Sequence, residues 1–140
     1  MDVIIGSHPH VVQPVKTIKS SDGTHETLVV YSLGNFLSNQ TRDQFNNYTE
    51  DGLMLNIDIS KSSTDKEANV EKVTCIPTWL NKYYNKNTSK YVYEIIPIAN
   101  KSDLDKIDNL PESKIKKSYE NTAKQIETSN LINVVDSPFN

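Results

Sequence analysis

The sequence predicts an α+β fold in which mostly antiparallel strands come first and helices last. Three observations lead there. Leu53 to Ile59 alternates apolar and polar residues with the period of a half-buried strand. Ser20-Ser-Asp-Gly-Thr24 is a turn signal between two apolar stretches, with Asp22-Gly23 suited to a hairpin. Beyond residue 100 the apolar spacing changes to that of a helix, through Ile115, Tyr119 and Ile126.

In chain order, Val3 to Gly6 reads as a short buried strand and Val11 to Ile18 as a second, alternating one. After the Asp22-Gly23 turn, Thr27 to Ser32 returns as the partner strand. It carries Leu33-Gly-Asn-Phe36 back beside the loop that follows the first strand. Residues 38–50 are polar, without periodicity, and read as a loop. Leu53, Leu55, Ile57 and Ile59 share one face of the next strand. Ser60 to Asn69 is a charged connection. Val70 to Trp79 and Tyr91 to Ile98 are two further strands, and the Asn-rich stretch Asn81 to Lys90 reads as an exposed turn between them. Short links of this kind favour antiparallel pairing. Ser102 to Asp105 starts a short helix. Asn109-Leu-Pro-Glu112 has the form of a capping box opening a helix through about residue 127. The chain divides into a β-rich part, residues 1–100, and a helical tail, residues 101–140.

Composition narrows the function. A net charge of −3, with Arg42 the only arginine, leaves no basic stripe for nucleic acid, so no nucleic acid is expected as a partner. A hydrophobic fraction of 36% implies much loop and solvated surface. Cys75, the single cysteine, excludes an internal disulfide and reads as a small buried hydrophobe.

The chemistry-bearing segment is Ile4-Ile-Gly-Ser-His-Pro-His10. Two imidazoles two residues apart, just past an apolar strand, project to the same side if the backbone stays extended. Neutral imidazole is a good ligand for zinc, manganese or iron. On spacing alone a solvated pair is the commoner outcome, and a metal needs further ligands. Asn35 is placed either to orient a histidine ring or a metal-bound water, or to cap a tight turn. His25 reads as a solvated turn residue and Asp51 as a turn residue rather than a distal carboxylate. Trp79, Tyr83, Tyr84, Tyr91 and Tyr93 read as sheet core with hydroxyls reaching water. A platform for a polymer is the alternative.

The strings Asp2-Val-Ile-Ile-Gly-Ser-His-Pro-His-Val-Val-Gln-Pro14 and Val30-Tyr-Ser-Leu-Gly-Asn-Phe-Leu37 resemble the C-terminal signature of bacterial CapA-like, poly-γ-glutamate capsule biosynthesis proteins. That family is similar to the calcineurin-like metallophosphoesterases, whose last metal motif is a Gly-His-x-His element. Gly6 with His8-Pro9-His10 matches it, with Ser7 as one extra residue. The resemblance implies the C-terminal portion of a metallophosphoesterase-like α/β sandwich. It implies His8 and His10 as metal ligands in a dinuclear site of Mn, Zn or Fe, with Asn35 behind them, and metal-dependent phosphoester hydrolysis.

The family's other ligands precede this element, so the chain is expected to be the C-terminal part of a longer protein. Alone it should hold metal weakly or not at all and be inactive. Expected partners are the N-terminal part of the same protein, a second copy in a homo-oligomer, and an anionic polymer or cell-envelope component. For the full-length protein the resemblance implies a place of action at the cell surface or on the outer side of the membrane. The alternative is a non-catalytic polymer- or cell-wall-binding module.

Overall fold

A computed structural model describes residues 2–40, 48–64 and 68–139. The loop expected at 38–50 and the connection at 60–69 therefore lie partly outside the described residues. Among the described residues, seven strands and two helices follow one another, with these helices late in the chain. They are β1 (Asp2–Ile5), β2 (Val15–Lys19), β3 (Glu26–Val30), β4 (Asp51–Ser60), β5 (Asn69–Asn85), β6 (Lys90–Pro97), α1 (Lys101–Leu104), α2 (Glu112–Ala123) and β7 (Ile132–Val134). The α+β expectation holds.

The first sheet has the order β1-β3-β2, with β3 parallel to β1 and antiparallel to β2. The chain thus leaves β1, crosses over the end of β3 to begin β2, and returns through the Asp22-Gly23 hairpin into the central position. β3 is central because its Leu28, Val29 and Val30 are all buried, whereas β1 leaves Ile4 and Ile5 56% and 52% exposed at the sheet edge. The Asp22 carboxylate closes the hairpin by accepting hydrogen bonds from the Ser20 hydroxyl and from the amide and hydroxyl of Thr24. Those bonds, the Ser20 one foremost, hold its carboxyl down to about 2. A carboxyl depressed in the folded state contributes stability above its ordinary value of 3.8 and loses it as pH falls toward 2. In an acid titration of the thermal midpoint, Asp22→Asn is therefore expected to show a smaller loss between about pH 4 and pH 2 than the parent.

The second sheet is built on β5, which spans 17 residues and pairs antiparallel with both β4 and β6. The stretch expected to be a turn, Asn81 to Lys90, is largely strand: Asn81 to Asn85 continue β5 against Lys90 to Glu94 of β6. The tyrosines and asparagines there satisfy their backbone in the ladder, which overrides the turn preference of asparagine. β7, which no residue pattern announces, adds in parallel beside Val73 to Cys75. Three residues are too few to show a period. Ile59 leaves the face of Leu53, Leu55 and Ile57 because the β4–β5 register shifts at Asp58/Ile59, and it is exposed.

One face of this long sheet is buried from Val73 to Trp79 of β5. Leu53, Val73 and Cys75 pack with Val15, Leu28 and Val30 of the first sheet, together with Ile126 and Ile132. Farther along, Trp79 and Ile96 pack with Ile98, Leu104 and Ile115 under the helices. The helix expected through residue 127 ends at Ala123. The backbone of Gln125 and Glu127 then bonds to both polar groups of Val15, stitching the tail to β2. No side-chain capping box forms at its start: Pro111 is the N-cap residue and Asn109 turns the chain at φ 55°. Among the described residues no helix is long and apolar enough to cross a membrane.

Cys75 is fully buried, and desolvation pushes its thiol up to about 11. It should react with a thiol reagent at pH 8 only as fast as the structure opens. Addition of denaturant to the unfolding midpoint is expected to raise the rate by orders of magnitude.

Candidate metal-binding loop

Because β1 and β3 are parallel, both strands end at the same edge of the first sheet. The loop after β1 carries His8 and His10, and the segment after β3 carries Asn35. Loops at the carboxyl ends of parallel strands are where open α/β sheets bind ligands. The two segments are sewn together by Gly6 N–H to Val30 O, Gln13 N–H to Ser32 O, Tyr31 N–H to Pro14 O and a bridge between Val12 and Leu33. Gly6 allows the approach: a Cβ there would lie 2.3 Å from the Tyr31 carbonyl oxygen. Gly6→Ala is expected to push the histidine loop off β3, read as loss of the His10–Asn35 contact described below in NMR spectra.

The histidines do not converge by strand alternation. The loop is not extended: His8 has φ 107° and His10 φ 62°, both in the left-handed half of the map that β-carbon sterics disfavour. Even so, their rings lie with centroids 6.3 Å apart and planes tilted by 41°. Two imidazoles on one tetrahedral ion have centroids about 5 Å apart. Such strained positions persist where the surroundings over-determine them, and they concentrate at functional sites.

Both imidazoles are solvent-exposed, but His10 is fixed from behind. Its Nδ1 lies 2.9 Å from Asn35 Oδ1. The Asn35 amide can point only one way, because its nitrogen donates to the Thr49 carbonyl at 3.0 Å and faces Gln40 Oε1 at 3.4 Å. The oxygen is therefore the atom turned to His10, and it requires a proton on Nδ1. In the neutral ring that leaves the Nε2 lone pair free. This is the geometry by which an outer partner orients a metal-binding histidine. The Asn35 side chain thus bonds the His10 ring and the distant Thr49 carbonyl. Thr49 and Gln40, which complete the arrangement, lie in a stretch without periodicity and gave no signal in the sequence. Among the described residues no group of three potential metal ligands converges, so His8 and His10 fit a divalent transition metal only as part of a set.

Other residues fall differently from expectation. Asp51 is not a turn residue. It opens β4, is 1% exposed, pairs with Trp79 across the ladder, and accepts a hydrogen bond from Asn121 of α2. His25 has a partner, with Nε2 lying 2.8 Å from Asp2 Oδ2, so the hairpin end is tied to β1. The aromatic group is split by strand alternation. Trp79 is core, Tyr83 bonds Glu94, and Tyr84, Tyr91 and Tyr93 lie on the opposite face with Lys82, where Tyr84 and Tyr91 are exposed rather than core. The Lys82 ammonium sits 4.9 Å from the Tyr91 ring centre and shares Asn39 with the Tyr93 hydroxyl.

Neither a curated protein nor a solved structure matches the chain. A family model does, over residues 1–40 of the 140. That span holds β1, the histidine loop, β2, β3 and the Asn35 turn. The segment that builds the site is similar to the family described as bacterial capsule synthesis protein PGA_cap.

Proposed function

We propose that this chain contributes the His8–His10 loop to a metallophosphoesterase-type site of a protein of capsule biosynthesis. The two imidazoles serve as metal ligands, and Asn35 positions His10. The observation that carries the reading is the oriented amide: Thr49 fixes Asn35, Asn35 fixes His10, and Nε2 is left free to coordinate. Bound divalent metal would supply a Lewis acid that acidifies water for attack on a phosphoester. The chain's own part is to hold two imidazoles at the mouth of the first sheet. Among the described residues no further ligand joins them, and we assign the remaining ligands to a further polypeptide segment, the N-terminal part of the same protein. The place of action is the cell surface, where the capsule is assembled.

Zinc or manganese titration, followed at the histidine ring protons by NMR, tests this. Binding is expected at micromolar strength or weaker, about 8 kcal/mol at most. It should be abolished by His8→Ala or His10→Ala and weakened about 10-fold or more by Asn35→Ala. Nanomolar binding that survives His8→Ala would overturn the assignment. The chain alone should not hydrolyse a generic phosphodiester above the buffer rate.

A second reading, a polymer-binding module, is favoured by the exposed Tyr84–Tyr91 face with Lys82 above it. It predicts polymer retention that a His8→Ala, His10→Ala double variant leaves unchanged.

A further inference from the structure

A cleft of about 810 Å³ opens between the β5–β6 ladder and the α1 segment with the turn after it. None of His8, His10 or Asn35 lines it. Its floor is apolar, from Ile96, Leu104 and Ile107, and its rim is polar. That combination and size suit a small ligand with an apolar body and a few directed polar groups.

The charge of the rim decides which ligand. Three carboxylates, Glu94, Asp103 and Asp108, face one ammonium, Lys106. Lys106 lies 2.8 Å from Asp103, so that pair is internally compensated. Glu94 is held instead by neutral donors. The Tyr83 hydroxyl donates to one of its oxygens at 3.0 Å and the Asn81 amide reaches the other at 3.4 Å. Each oxygen keeps accepting capacity beyond these bonds, and the carboxylate is fixed in place at the cleft wall. Glu94 and Asp108 take part in no ion pair among the described residues. The bond to Glu94 also raises the Tyr83 hydroxyl above its ordinary value, so it remains a donor through neutral pH.

A metal ion is a poor match for this negative charge, because no three potential ligands converge among the described residues. Charge spread along the rim of an apolar floor matches instead a cation carried on a hydrocarbon body. We infer that the cleft is a binding site for aliphatic primary amines, with the ammonium on Glu94 and the hydrocarbon over Ile96, Leu104 and Ile107. The bonds involved are charge-assisted N–H···O contacts at the rim and apolar burial at the floor.

Three probes of one length separate charge from burial: n-hexylamine, hexan-1-ol and hexanoate, each titrated into the isotopically labelled chain at pH 7. Hexylamine is expected to shift the amide signals of Glu94, Ile95, Ile96 and residues 103–109 with a millimolar dissociation constant. Glu94→Gln should weaken it about tenfold, and Asp108→Asn should weaken it less. Added salt should weaken it further. His8→Ala should leave it unchanged, which keeps this outcome separate from that of the metal titration. The inference is overturned if hexanol or hexanoate shifts the same signals as strongly, if hexylamine shifts none of them, or if Glu94→Gln, folded by its own spectrum, binds hexylamine as the parent does.

Discussion

Gly52→Ala should lower the stability of the chain by about 3 to 4 kcal/mol, seen as a fall of roughly 10 °C in the thermal midpoint. Gly52 is the second residue of β4, buried, and paired with Thr78 across the ladder and with Gly34 on the other side. A Cβ on it would lie 2.4 Å from the Asn35 carbonyl oxygen and 2.6 Å from Thr78 Oγ1. The hydroxyl can rotate away, but the carbonyl belongs to backbone held by the Leu53 N–H to Leu33 O bond and cannot. The methyl must therefore push the 33–35 segment off β4, at the cost of overpacking plus one or two backbone hydrogen bonds. Because Asn35 rides on that segment, the same substitution should release His10. A variant with an unchanged midpoint and an intact Nδ1–H signal for His10 would show that the segment is not clamped as described.

That clamp shows where the sequence is legible. The hairpin at Asp22-Gly23, the alternation of β4 and the late helices could be read because each is a local pattern of side chains that repeats over several residues. The pairing of the histidine loop with the Asn35 segment could also be expected, since the hairpin between them returns the chain to its starting edge. Long-range register was not legible. Nothing local says that β3 inserts between β1 and β2, that Asn81 to Asn85 prolong β5, or that β7 joins its side. Likewise, the two histidines approach through left-handed backbone rather than by strand alternation. Thr49 acts through its carbonyl, a group every residue carries, so its part in orienting Asn35 left no trace in residue type.

Leu28→Ala is expected to cost about 3 to 4 kcal/mol and to unfold both halves of the molecule together. Leu28 lies at the centre of β3 with no exposed surface, packed among Val15, Val30, Val73 and Cys75. Truncation leaves a cavity that neighbours on two packed sheets can only partly fill, which is where large losses arise. Trp79 belongs to the other apolar cluster, under the helices, with Ile96 and Ile115. The two clusters share covalent and packed connections. β5 runs through both, carrying Val73 and Cys75 in one and Trp79 in the other, and the helix that contributes Ile115 leads directly to Ile126, which bonds alongside Val15. Loss of packing at Leu28 should therefore be transmitted to Trp79. In urea, the Trp79 fluorescence transition and the onset of Cys75 reactivity should move to lower concentration by the same amount in Leu28→Ala, and likewise in Ile115→Ala. Ile4→Ala, on the exposed edge, should shift neither by more than about 0.5 kcal/mol. A Trp79 transition that stays put while Cys75 becomes reactive would mean that the first sheet opens by itself, and that the histidine loop rides on a separately melting unit.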